Sequence, residues 1–468
     1  MKLLTSIFAL VSLVLFTAFD ARATSPEEKF RIEEQKRKKL ESSEQRILAA
    51  ESRLAVEWGG WIDNRYDDYK NDDNNRSLID ALDATRSFDF RLWVKATLKP
   101  RVDDTHPNEH SVYVRFKNIY TITTPDDLNK KYDNEGPDLD QGYAVLDMRP
   151  WWLEFGRRYY MMGQGIAYGN VHDGLELSAN FTDWNLKAFF THTLPDEANV
   201  DLSVPGATRG SDRSFYGFEA RYIGLPGGHS IYGFYVLQRD SSDEDPVDVS
   251  ADYTYDSEYL GLGLQGKLLT NSHYWVELVH QTGRSHVFAT GAKQDVKAWA
   301  GDIGVTLDVD VFSHPNLSFE YAFGSGDGDR INVTDTRNGN SSGRDKNYLY
   351  FGYLPTGYAL SPRLSNLHMY KASVLLNPLQ QYPSLADLTL GIDYYRFYKD
   401  KKRGGISDTQ ATLADPYIGS EIDLTLSWQA LSDVTITFEY GYFKPGDAYP
   451  SSADDSERYF SVDATFTF

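Results

Sequence analysis

Residues 86–99 read Arg86-Ser87-Phe88-Asp89-Phe90-Arg91-Leu92-Trp93-Val94-Lys95-Ala96-Thr97-Leu98-Lys99. Phe88, Phe90, Leu92, Val94, Ala96 and Leu98 fall on one side of an extended chain. Asp89, Arg91, Trp93, Lys95 and Thr97 fall on the other. Side chains alternate across a strand, so this stretch is a β-strand with one apolar and one polar face. A soluble sandwich and a membrane barrel both use such strands, and the stretch alone does not separate them.

The rest of the chain separates them. Eighteen segments of this kind can be cut between residues 53 and 468: 53–66, 86–99, 111–122, 142–149, 151–160, 172–181, 186–194, 214–224, 231–239, 259–268, 273–283, 297–307, 316–326, 364–376, 388–398, 419–428, 433–443 and 458–468. The connections alternate in length. Long polar ones follow odd segments, as at 67–85, 123–141, 195–213, 240–258, 327–363 and 399–418. Short ones follow even segments, as at Pro150, 182–185, 225–230 and 429–432. Dyad-patterned strands of about ten residues with alternating long and short connections mark an outer-membrane β-barrel, long loops outside and short turns in the periplasm.

The last segment alternates Phe460, Val462, Ala464, Phe466 and Phe468, and a terminal aromatic of this kind is typical of bacterial outer-membrane barrels. Tyr159, Tyr160, Tyr394, Tyr395, Tyr440 and Tyr442 gather at strand ends, where interfacial girdles are expected. No strand edge can stay unpaired in hydrocarbon, so the sheet must close. Eighteen strands enclose an aqueous lumen.

Composition agrees. The 468 residues carry 47 basic and 68 acidic side chains, a net charge of −21. That balance excludes nucleic acid as the main partner, because phosphate binding needs a basic footprint. The absence of Cys excludes a disulfide scaffold, a Cys-ligated zinc site and a Cys nucleophile. Mean hydropathy is −0.49, and the one apolar run lies at the start, so a helical-bundle membrane protein is excluded. Lys2, the run Leu3–Phe19 and Ala21-Arg22-Ala23 read as a secretory signal peptide over residues 1–23. Residues 24–52 read as a charged periplasmic helical arm, with seven Glu and seven Lys/Arg between 27 and 51 and a Ser25-Pro26-Glu27-Glu28 start. The barrel is then 53–468.

Parity assigns the lumen. In the first half the inward basic residues are Arg91, Lys95, Arg115, Lys117, Arg149, Arg158, Lys187, Arg221, Arg239 and Lys267. In the second half they are mostly acidic: Glu277, Asp302, Glu320, Glu421, Asp423, Glu439 and Asp463, with Lys371 the exception. A basic wall therefore faces an acidic one, and the basic wall is expected to guide anions. Trp61, Trp93 and Tyr113 point inward as flat faces for sugar rings. The external connections are acidic: residues 240–258 hold eight Asp/Glu and no Lys or Arg. Gly324-Ser325-Gly326-Asp327-Gly328-Asp329 looks like half a calcium loop without its closing ligands, so neither a metal nor another cofactor is expected.

Several stretches resemble the alginate-export family of outer-membrane porins: Ile418-Gly419-Ser420-Glu421-Ile422-Asp423-Leu424 with Phe443-Lys444-Pro445-Gly446-Asp447-Ala448-Tyr449, then Phe155-Gly156-Arg157-Arg158, Gly301-Asp302-Ile303-Gly304-Val305 with Tyr321-Ala322-Phe323-Gly324-Ser325-Gly326, and Arg363-Leu364-Ser365-Asn366-Leu367. They spread over residues 142–468. The resemblance implies a monomeric eighteen-stranded channel for an anionic polyuronate, drawn through by lumen arginines and supplied by a periplasmic tetratricopeptide-repeat scaffold. The chain departs from that exporter at Thr437 and Glu439, where arginines are expected, at Ser361, and in the turn 429–432, too short for a periplasmic plug.

Two transport readings stay open: export of an alginate-like exopolysaccharide, and uptake of sugars or small organic anions. A structural or adhesive barrel is a further alternative. An enzyme is not expected, because His110, His172, His192, His280 and His368 have no nucleophile motif beside them.

Overall fold

A computed structural model describes residues 46–47, 54–71, 74, 84–98, 108–124, 130–195, 197, 210–241, 255–286, 293–334 and 340–468. The expected signal peptide and nearly all of the expected arm lie outside the described residues. Residues 46–47 form the short strand β1, whose Arg46 and Ile47 pair antiparallel with Trp58 and Glu57, so the helical expectation does not hold for these two.

Eighteen longer strands follow. They are β2 (Leu54–Lys70), β3 (Ala84–Leu98), β4 (His110–Thr124), β5 (Lys131–Met148), β6 (Trp151–Met161), β7 (Gly169–Asn180), β8 (Trp184–His192), β9 (Arg213–Leu225), β10 (His229–Asp240), β11 (Asp256–Gly266), β12 (Ser272–His286), β13 (Lys293–Asp308), β14 (Asn316–Gly324), β15 (Leu367–Leu376), β16 (Leu388–Lys399), β17 (Tyr417–Leu431), β18 (Val434–Pro445) and β19 (Glu457–Thr467). Each pairs antiparallel with the next, and β19 returns to β2, with Phe466 opposite Ile62 and Thr467 opposite Trp61. The sheet is closed, as hydrocarbon demands. Each of the eighteen segments read from the sequence falls on one strand of the ring.

Period-two patterning becomes two surfaces. Phe90, Val94, Leu260, Leu262, Phe319 and Phe438 are exposed on the outside, toward lipid. Arg91, Trp93, Tyr259, Phe234 and Asp302 are buried inside. Adjacent tyrosines therefore part company. Tyr394 is 42 % exposed and belongs to the girdle, whereas Tyr395 and Tyr160 are buried within the barrel. At the seam, the Gly60 N–H donates to Phe468 O at 3.0 Å, and the Phe468 N–H donates back to Gly60 O at 3.0 Å. A Cβ on Gly60 would lie 2.5 Å from the Phe468 ring, which is why the terminal aromatic meets a glycine there.

Two expected connections differ. Residues 131–141 of the 123–141 connection extend β5, and β4 runs to Thr124, so much of that stretch is a ladder rather than a loop. The 327–363 connection does not stay outside: from residue 345 onward it folds into the barrel. Its run Tyr348-Leu349-Tyr350 is buried, with Leu354. An apolar run too short for a strand has to be buried somewhere, and the lumen is the only interior available.

Candidate functional site in the lumen

Two loops narrow the lumen. The first, residues 162–168 between β6 and β7, turns back on itself: the Met162 N–H donates to Tyr168 O at 3.1 Å, and the Gly165 N–H to Met162 O at 2.9 Å. It then reaches the wall, where the Gly163 N–H donates to Glu219 Oε2 at 3.0 Å and the Gln164 N–H to Glu277 Oε2 at 2.7 Å. Gly163 has φ +55°, and a Cβ there would lie 2.1 Å from Glu277 Oε2.

The second, residues 345–366, pairs with the first. Tyr168 and Phe351 form a parallel bridge, and the Tyr353 N–H donates to Gly165 O at 2.8 Å. On β12, the Gln281 side chain accepts from the Leu349 N–H at 3.1 Å and donates to Leu349 O at 2.8 Å. Arg330, buried, pairs with Asp345 at 2.6 Å at the root of the loop. The loop then crosses to β17. The N–H groups of Tyr358, Ala359 and Leu360 donate to Glu421 at 2.7, 2.7 and 3.0 Å, and the Tyr358 N–H also reaches Asp423 at 3.0 Å. Tyr358 Oη meets Thr425 Oγ1 at 2.8 Å, and its ring packs on Tyr459 at 5.7 Å. Successive backbone N–H groups around carboxylates form an anion-holding concavity. Here the anions belong to the wall and the concavity to the loop, so the contact is a latch.

Around the wall, the basic side chains of the first half do not stand alone. Arg91 pairs with Asp89 at 2.7 Å and Asp140 at 3.0 Å, and Arg115 shares Asp140. Both guanidinium groups lie over Trp61, at 5.7 and 5.3 Å from its ring centre. Lys117 pairs with Glu135, and Arg158 with Glu154. Lys187 and Arg221 converge on Glu219, at 3.7 and 3.0 Å. Lys95 faces inward opposite Tyr113 and has no ion pair among the described residues. Arg149 lies in the 149–150 turn at the short-turn rim, beside Asp147 at 3.0 Å, and not on a strand wall. Arg239 points outward, since its neighbours Gln238 and Asp240 are the buried ones, and pairs with Glu258 at 3.8 Å. Lys267 lies in the turn after β11. These last three correct the parity assignment, which does not hold across a strand end or where the register shifts by one.

Trp61, Trp93 and Tyr113 form one buried cluster with Tyr143 behind them. Trp93 and Tyr113 stack at 6.1 Å, and Tyr113 meets Tyr143 at 5.3 Å. On the opposite wall, Glu320 is in register with Lys371, and Lys371 is 3.6 Å from Asp393. Asp302 accepts from Trp275 at 2.7 Å. Glu439 pairs with Arg65 at 2.9 Å.

Sequence reasoning missed Arg65 and Arg213, which is buried against Asp240 at 2.8 Å. Arg65 shares the parity of Trp61, so the signal was present. Arg213 stood one residue outside its segment. The partners Asp140 and Glu219 were missed as well, because pairing across strands depends on register.

A closed eighteen-stranded ring with an apolar exterior, a polar interior and lumen-narrowing loops defines an outer-membrane channel. The chain belongs to the alginate-export family, whose model matches residues 60–463. None of the curated proteins compared with it matches. Solved structures share the fold: Pseudomonas aeruginosa OccK8 (OprE) at 12 % identity and TM-score 0.52, covering 88 % of this chain and 98 % of that one; Acinetobacter baumannii OccAB1 at 10 % and 0.54, covering 92 % and 99 %; and Pseudomonas aeruginosa OpdK with vanillate at 11 % and 0.52, covering 88 % and 98 %. Its place is the Gram-negative outer membrane.

Proposed function

We propose that this chain is a substrate-selective channel for saccharides, in which the latched 345–366 loop sets the passage and aromatic faces receive the sugar. The loop carries the reading: it is held to β12 at one end and to β17 at the other inside the lumen, where it narrows the passage. The cluster of Trp61, Trp93 and Tyr113 supports sugar as the solute class, since flat rings beside polar forks suit the apolar and hydroxylated faces of a pyranose. Arg91, Arg115, Arg158, Lys187 and Arg221 are ion-paired, so a conveyor of free cations is not the basis of selection.

A second reading, passage of an anionic alginate-like polyuronate, is favoured by family membership and by Lys95, whose ammonium has no ion pair among the described residues. In that reading a periplasmic tetratricopeptide-repeat scaffold delivers the polymer. In both, the barrel is proposed to work as a monomer, which a ring closed by one chain supports by giving each copy its own passage.

Liposome swelling and current block test this. Neutral hexoses and short neutral oligosaccharides are expected to permeate faster than uronate oligomers of equal length. Permeation by size alone, whatever the chemistry, would overturn selectivity. Current block by uronate oligomers alone would favour the second reading.

A further inference from the structure

We propose that the outward face of β16–β19 binds the phosphorylated head group of an outer-leaflet glycolipid. Arg396 on β16 is in register with Ser420 on β17, which is in register with Lys444 on β18. One rung below, Tyr394 is opposite Ile422, Ile422 opposite Tyr442, and Tyr442 opposite Arg458 on β19. Arg396, Lys444 and Arg458 alternate with the buried Tyr395, Phe443 and Tyr459, so all three point away from the lumen, and all are exposed. Neighbouring strands lie about 4.8 Å apart, so the three cations line one band across four strands.

Their depth is set by what lies beneath them. Tyr394, Tyr442 and Phe460 occupy the next outward positions toward the bilayer, then Ile392, Tyr440 and Val462. A tyrosine girdle marks the edge of the hydrocarbon, and the level above it is that of lipid head groups.

Some cations on this barrel's exterior are matched by carboxylates and others, such as the exposed Lys297 on β13, have no ion pair among the described residues. Elsewhere on the outside, Arg157 faces Asp173 at 2.9 Å and Arg239 faces Glu258 at 3.8 Å. Arg396, Lys444 and Arg458 have no ion pair among the described residues. The Arg396 guanidinium lies over Tyr417 and Tyr398, at 5.1 and 5.6 Å from their ring centres. Lys70 continues the band opposite Arg458, and the outward carboxylate Asp68 stands opposite Phe460. A cation at a lipid surface without a protein counter-ion calls for an anion from the lipid, and Arg and Lys answer phosphate. An apolar groove of about 610 Å³ runs across the lipid-facing side of β12–β16 past Ile303, Phe319, Tyr370 and Tyr394 and ends at Arg396. It offers room for acyl chains beneath the phosphate. The occupant is therefore a phosphorylated, multiply acylated sugar lipid of the outer leaflet.

Native mass spectrometry of the detergent-purified full chain tests this, with EDTA present to exclude divalent bridging through the acidic loops. The probes are a diphosphorylated, hexa-acylated diglucosamine lipid and its dephosphorylated form. The wild type is expected to retain the phosphorylated lipid about tenfold better, and Arg396→Gln/Lys444→Gln/Arg458→Gln to lose that preference. Arg157→Gln/Arg239→Gln, whose cations are already matched, is the charge control and is expected to bind as the wild type does. Millimolar inorganic phosphate is expected not to displace the lipid, because the acyl chains share the binding. Equal retention of both lipids by the wild type, an unchanged triple variant, or an equal loss in the control would overturn the proposal, as would displacement by phosphate. Single-channel conductance of the triple variant is expected to stay unchanged, so this test and that of the saccharide channel fail separately.

Discussion

Leu262 and Gln265 sit three positions apart on β11 and face different solvents. Leu262 is 60 % exposed on the outside, whereas the Gln265 Oε1 accepts from Gln164 in the first lumen loop at 3.1 Å. Leu262→Arg is expected to destabilise the barrel by about 2–4 kcal/mol if it lies at mid-bilayer, while Gln265→Arg is tolerated because it meets water. Heat-modifiable gel migration checks this, and equal stability would mean the register is wrong. Asp140 offers a second residue-scale test. It is 7 % exposed and serves both Arg91 and Arg115. Asp140→Ala removes the buried carboxylate shared by Arg115 and by Arg91, which keeps Asp89, and is expected to cost about 3–5 kcal/mol, read from the urea dependence of unfolding in lipid. A loss below about 1 kcal/mol would show that these ion pairs are solvated like surface ones.

The 345–366 loop is the element whose position decides passage. Its far end rests on Glu421 and Asp423, which lie on one face of β17 because they are two residues apart. Gly357 enters the latch with φ +116°, and a Cβ there would lie 2.6 Å from Glu421 Oε1. Glu421→Ala/Asp423→Ala removes the acceptors for residues 358–360 and is expected to free the loop end. Single-channel conductance should then rise severalfold with barrel migration unchanged. Unaltered conductance would show that the loop is held from the β12 side alone. The same element explains a failure of sequence reading. Strand pairing was legible in a local period of two, but the inward course of this loop depends on hydrogen bonds to Gln281, Gly165 and Glu421, far away in sequence.

Across the whole molecule, the balance of inward charge sets ion selectivity. Charges inside a low-dielectric wall are screened less than those on external loops, where the Debye length is about 8 Å at physiological salt. The sequence alone suggests a basic wall and anion preference. In the structure that wall is paired to Asp89, Asp140, Glu154 and Glu219. The other wall holds Glu277, Asp302, Glu320, Asp393, Glu421, Asp423 and Asp463, with Lys371, Lys399 and Arg65 among its cations. The expected reversal potential in a potassium chloride gradient across a planar bilayer is therefore that of a cation-preferring pore. Anion preference in the wild type, lost in Arg91→Ala/Arg115→Ala, would overturn this account.

The sequence by itself determined the closed ring, its strand number and which surface meets lipid, because each follows from alternation along a strand and from the cost of an open edge in hydrocarbon. It also placed Trp61, Trp93 and Tyr113 together on the inward side, since neighbouring strands share a face. Only the tertiary structure decided that Arg91 and Arg115 share Asp140 and that Arg65 answers Glu439 from 374 residues away. It also decided that residues 345–366 cross the lumen. Those contacts depend on register around the ring and on where an apolar loop finds burial, and both are properties of the closed barrel rather than of any one strand.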